Sequence, residues 1–186
     1  WGVPENAVLI GLVARIDPMK DHATFLKAAA LLAAEYEHVR FVCVGNGLPA
    51  YRQHLEELGR SLGLGDRLIW AGERGDMPAV QNALDIATSA TAFGEGFSNT
   101  IGEAMACGVP CVVTDVGDSA RLVGATGLAV PFGDPSSLAA AWRTIVATPP
   151  QQLAAQGQEA RARIVRDFSQ EALARRTERA LASLLP

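Results

Sequence analysis

Two cations and two carboxylates stand out as candidates for chemistry. Arg15 and Lys20 bracket Ile16-Asp17-Pro18-Met19, directly after an apolar run, and Lys20 is one of only two lysines, the other being Lys27. An Arg fork and a compact ammonium at one strand tip can clamp a diphosphate. The same pair can equally be ordinary surface cations. Glu95 and Glu103 bracket Gly96-Phe97-Ser98-Asn99-Thr100-Ile101-Gly102. Glycines there permit close backbone approach to a ligand. A helix opening at Asn99 would offer free N–H groups to phosphate or sugar hydroxyls. Glu95 in the loop and Glu103 in the first helical turn could accept hydrogen bonds from sugar or ribose. The local alternative is a capping box between Thr100 and Glu103, with Glu95 simply solvated.

Other chemistries find less support. Gly45-Asn46-Gly47-Leu48-Pro49-Ala50 fits the G-x-G-x-x-A dinucleotide fingerprint. It follows the second apolar strand, whereas the fingerprint belongs after the first, and Asp66 precedes the third strand instead of ending it. His22, His38 and His54 show no ligand spacing and are expected at the surface or at helix edges. Cys107 and Cys111 lack a second ligand pair, which argues against zinc. There is no Asp-x-Asp pair, no G-x-S-x-G and no G-x-x-x-x-G-K-[ST]. A net charge of −4 disfavours nucleic acid as a partner. Three cysteines in apolar contexts point to a reducing, cytoplasmic compartment. No run reaches the roughly 18 apolar residues of a membrane span. A first residue Trp1 reads as a piece of a longer chain, with no secretory signal.

The elements that must position these residues alternate in type. Apolar runs predict strands at Val8–Val13, Arg40–Val44, Arg67–Trp70, Asp85–Thr88, Pro110–Thr114 and Gly127–Val130. Helical spacing covers 21–36, 49–62, 77–83, 99–106, 135–146, 151–167 and 170–184. With 186 residues, 49% of them hydrophobic, one α/β domain over 1–186 is expected. Its architecture is a Rossmann-like three-layer α/β/α stack on a six-stranded parallel sheet. Ligands of such sheets bind beyond the carboxyl ends of the strands, which selects loops 14–20, 45–49, 71–76, 89–99 and 115–120.

Glu95-Gly-Phe-Ser-Asn-Thr-Ile-Gly-Glu103-Ala-Met-Ala-Cys-Gly-Val-Pro110 resembles the E-x₇-E signature of family 4 retaining glycosyltransferases. The Arg15 to Lys20 loop resembles their diphosphate loop, and Gly127 to Pro135 their late strand and turn. The matches fall in order over roughly residues 8–145. The resemblance implies the C-terminal, donor-binding half of a two-domain GT-B fold. Arg15, Lys20 and Glu95 would then be catalytic. Gly96, Phe97, Ser98, Asn99 and Thr100 would bind the sugar and phosphates, Glu103 the ribose, and Gly72 and Arg74 the base. It further implies a nucleoside-diphosphate sugar as donor, no metal and no cofactor. The acceptor would be a glycan or lipid-linked molecule held by an N-terminal domain, through which any membrane contact would run and on which segment 168–186 would pack. An epimerase, a phosphorylase or a non-catalytic nucleotide-binding module could use the same grip. Departures from the pattern are Ala14 and Asp21, where the family often has glycine, and Arg121, where an acid is frequent.

Overall fold

A computed structural model describes residues 1–184. Leu185 and Pro186, part of the expected terminal packing segment, lie outside the described residues. Six strands form one parallel sheet: β1 (Val8–Val13), β2 (Val39–Val44), β3 (Leu68–Gly72), β4 (Ile86–Ser89), β5 (Cys111–Thr114) and β6 (Leu128–Val130). Their order is β3-β2-β1-β4-β5-β6. The chain therefore winds outward from β1 in one direction, returns, and continues from β4 in the other. The central register pairs Ile10 with Phe41 on one side and with Ile86 on the other.

Alternation along the strands feeds two cores. Ile10, Leu12, Phe41, Cys43 and Val112 face α1 (His22–Ala33), α2 (Pro49–Ser61) and α6 (Pro135–Val146). Leu9, Val13, Val42, Val44 and Val113 face α3 (Met77–Asn82), α4 (Asn99–Ala106), α5 (Ser119–Val123) and α7 (Pro150–Asp167). Gly11 belongs to the second set because a Cβ there would lie 2.5 Å from a Leu84 methyl. In the first core Trp142 is fully buried, stands edge-on to Phe25 at 5.2 Å and donates its Nε1–H to Thr88 Oγ1 at 3.0 Å. Truncating such a residue to alanine costs about 3–5 kcal/mol. Burial pushes the Cys111 thiol up to about 12 and Cys43 higher still, so both behave as small apolar side chains.

Two readings of the sequence are corrected. His22, in the first turn of α1, is fully buried, not at the surface. Helix α5 was not foreseen; five residues opening with Ser-Ala carry too little periodicity to register. The last helix, α8, runs over Gln170–Ala182, and among its residues only Ala172 is buried. Leu173, Leu181 and the following Leu184 are exposed. No helix of the described residues is long and apolar enough to cross a membrane.

Candidate functional site

A cleft of about 220 Å³ opens at the carboxyl ends of β1 and β4, where the winding reverses. Such reversal points leave a crevice between loops that diverge to opposite faces of the sheet. The floor is Leu12, Val13 and Ala14 from β1 and its end, with Thr88 and Ser89 from β4 and Ala90 and Thr91 just after it. One wall is the loop carrying Arg15 and Lys20. The other is Glu95, Phe97 and the opening of α4, residues 98–100.

The Arg15–Lys20 loop is held by two aspartates in series. Asp17 accepts the Met19 N–H at 2.9 Å, closing a tight turn over Pro18–Lys20. Asp21 follows in the left-handed region, φ +42°, and its carboxylate accepts the Thr24 N–H at 3.0 Å and the Thr24 hydroxyl at 2.6 Å. Aspartate tolerates this backbone better than most residues because its short side chain bonds locally. It caps α1 while turning the chain, which accounts for its place in a position the family often gives to glycine. The turn delivers Lys20 inward, its side chain 18% exposed, onto Glu95, whose side chain is 9% exposed. Arg15 stays at the rim, 68% exposed and 3.4 Å from Asp17.

Glu95 is fixed from behind. The Thr91 hydroxyl donates to Glu95 Oε2 at 3.1 Å and lies 3.2 Å from Ser89 Oγ. Thr114 on β5 donates to the Thr91 carbonyl at 2.6 Å. The two walls are tied where Ala92 N–H donates to the Met19 carbonyl at 2.9 Å.

Helix α4 opens into the cleft with Ser98 as N-cap, and no side chain caps it. The proposed capping box is thereby corrected: Thr100 lies in the first turn, and Glu103 in the second instead of the first. The leading N–H groups stay available to a ligand, with the positive end of the helix dipole behind them. Buried Gln81 donates to the Thr100 carbonyl at 3.1 Å and holds that turn in place. Two cations against one carboxylate leave the charged lining at net +1, which suits an anion.

Seven of the residues singled out in the sequence thus converge: Arg15, Lys20, Glu95, Phe97, Ser98, Asn99 and Thr100. Four do not line the cleft. Gly96 is exposed in the loop above it, and Glu103 is exposed on α4. Gly72 accepts the Gly45 N–H at 2.8 Å at the end of β3. Arg74 forks onto Asp76 at 2.8 and 2.6 Å, which holds that carboxyl below its usual range. The residues unforeseen are Thr88, Ser89, Thr91 and Thr114. Their signal was hydroxyls ending apolar strands of a doubly covered sheet, where each must find a partner.

The Gly45-x-Gly47 pair has a packing role. A Cβ on either glycine would lie 2.0 Å from a backbone oxygen, that of Ala14 or of Ile16. Residues 45–47 and 14–16 thus run in direct backbone contact, with Ile16 and Gly47 bridged in parallel.

Comparison with known proteins follows this geometry. Residues 7–148 match the family model described as Glycosyl transferases group 1. The D-inositol 3-phosphate glycosyltransferase of Geodermatophilus obscurus is 35% identical over 164 residues, covering 78% of this chain and 35% of that protein. The lipopolysaccharide core biosynthesis mannosyltransferase LpsB of Rhizobium meliloti is 35% identical over 130 residues, covering 68% of this chain and 36% of that protein. The crystal structure of Anabaena HepE in complex with UDP and glucose superposes with a TM-score of 0.86 at 27% identity, over 98% of this chain and 50% of that one. The chain therefore spans about a third of these curated relatives and half of that solved structure. The sheet is that of the C-terminal half of a GT-B fold, and the chain belongs to the group 1 glycosyl transferase family.

Proposed function

We propose that this chain binds the nucleoside-diphosphate sugar donor of a retaining hexosyltransferase. The observation that carries the reading is the uncapped start of α4 facing Lys20 and Arg15 across the β1/β4 crevice. As the bond from the anomeric carbon to the diphosphate breaks, negative charge grows on the leaving phosphate. The α4 N–H groups are fixed where that charge develops, and Lys20 and Arg15 turn onto it from the loop beside them. This needs no metal, and no cofactor beyond the donor itself. Glu95 accepts a hydrogen bond from the sugar, with backbone N–H groups of Gly96 to Asn99 around it. Glu103 takes the ribose. Gly72, at the end of a strand two places and hence about 10 Å from β1, and Arg74 in the loop after it border the base.

The HepE complex with UDP and glucose supports a uridine nucleotide, and the mannosyltransferase relative supports mannose as an alternative donor sugar. The acceptor belongs to a preceding domain. Exposed Leu48, Phe93 and Phe132 all follow carboxyl ends of strands, so the cleft edge has an apolar surface for such a domain to face. The exposed leucines of α8 support a second contact with it. By itself the chain transfers little or no sugar. It works in the cytoplasm, and contact with the inner face of a membrane runs through the acceptor domain.

Calorimetric titration of the chain with UDP, GDP, ADP and NAD tests this. Saturable binding of one nucleoside diphosphate, weakened at least tenfold by Lys20→Ala, is expected. Binding of NAD alone, or affinity indifferent to both Lys20→Ala and Glu103→Ala, would overturn it.

A further inference from the structure

We infer that Thr91 is a positioning residue that aims one oxygen of Glu95 at the donor sugar, a role that rests on reading the cleft as the donor site. Lys20 and Thr91 both bind the same oxygen, Oε2. Among the described residues, Oε1 accepts no hydrogen bond, while Glu95 lines the cleft. A carboxylate held by one oxygen on two partners cannot spin about its last bond without losing both. Its other oxygen is left as an acceptor facing the ligand.

Thr91 is built for this. It is 1% exposed, so no water competes for its hydroxyl. Its proton goes to Glu95, so Ser89 Oγ, at 3.2 Å, is the donor to Thr91 in turn. Its backbone is pinned by Thr114 through the carbonyl and, one residue on, by Ala92 N–H to Met19. The hydroxyl relay Ser89–Thr91–Glu95 therefore runs from the end of β4 to the sugar side of the cleft. Lys20 alone would not fix the carboxylate in the complex, because an incoming diphosphate competes for the same ammonium. Thr91 is neutral and its hydroxyl proton is already given to Glu95, so its hold survives when Lys20 turns to the donor. The residue thus governs recognition of the sugar and not of the nucleotide.

The test compares matched pairs, UDP with UDP-glucose and GDP with GDP-mannose, by calorimetric titration. In the unaltered chain the sugar nucleotide of the preferred base binds about tenfold tighter than its bare diphosphate, the scale of one hydrogen bond to a carboxylate. Thr91→Val keeps the volume and removes the donor. It is expected to cut that advantage about fivefold while the diphosphate itself binds within twofold of the unaltered chain. Thr91→Ser restores the advantage. Thr91→Ala serves if the valine variant does not fold. An unchanged advantage in the valine or alanine variant would overturn the assignment, as would equal binding of sugar nucleotide and diphosphate in the unaltered chain. A chain that binds none of the four overturns the donor-site reading itself, and this role with it.

Discussion

Gly117 lies so close beneath Glu95 that a Cβ on it would sit 1.8 Å from the Glu95 carbonyl oxygen. Its φ is +60°, a second reason for glycine. The Asp118 N–H next to it donates to the Gly96 carbonyl at 3.1 Å, so the loop after β5 is the bed on which the Glu95 loop rests. Gly117→Ala is expected to displace residues 95–97 and lower nucleotide-sugar affinity more than tenfold. Thermal unfolding would fall by several degrees. Titration beside a melting curve checks both.

Lys20 and Arg15 should separate cleanly. Lys20→Met leaves Glu95 poorly solvated and without its cation, and an orphaned group of that kind costs about 1–3 kcal/mol. Arg15→Ala, at an exposed rim position, should leave stability within about 0.5 kcal/mol and still weaken UDP or GDP binding. Chemical denaturation read with affinity at low and high salt distinguishes the two.

His22 should make the fold acid-sensitive. Burial lowers its pKa from 6.5 to about 4, against the raising pull of Asp21 and Asp17 and with a smaller lowering push from Lys20. Neither ring nitrogen has a partner. The folded state thus refuses a proton that the unfolded chain accepts below pH 6.5. Stability from this site is full above that pH and drains as pH falls toward 4. From pH 7.5 to 5 the loss is about 2 kcal/mol. His22→Leu should remove that part of the slope in urea titrations across this range; a slope identical to that of the unaltered chain would refute it.

Phe168, between α7 and α8, packs its ring at 5.5 Å and a 44° tilt against Phe97, one wall of the cleft. Arg163 covers the far ring at 5.6 Å and donates to the carbonyls of Leu122 and Arg121 at 3.0 and 2.6 Å. Phe168→Ala is expected to weaken nucleotide-sugar binding three- to tenfold though it never touches ligand, whereas Phe168→Tyr should bind normally. Titration of the two variants decides it.

Much of the fold was legible because a doubly covered parallel strand must be apolar throughout. Val8–Val13 and the helix over Pro135–Val146 stand where the pattern places them. Strand order was not legible, since apolar runs do not name their neighbours. The cations and Glu95 were legible as residue types at strand tips. Thr91 and Thr114 were not, because a hydroxyl acts through one distance that spacing does not encode. His22 misled for the opposite reason: a polar residue at a helix start looks solvated, and spacing does not show that packing closes over it.

The outward winding from β1 has a consequence for the order in which the protein assembles. Strands β1, β2 and β3 are contiguous in the chain and adjacent in the sheet, as are β4, β5 and β6. Each trio closes over short sequence distances, which favours early formation. The β1–β4 seam instead joins Ile10 to Ile86, and across that seam Lys20 meets Glu95. The cleft is therefore among the last features to appear as the two trios dock, and the onset of nucleotide binding during refolding would time that docking.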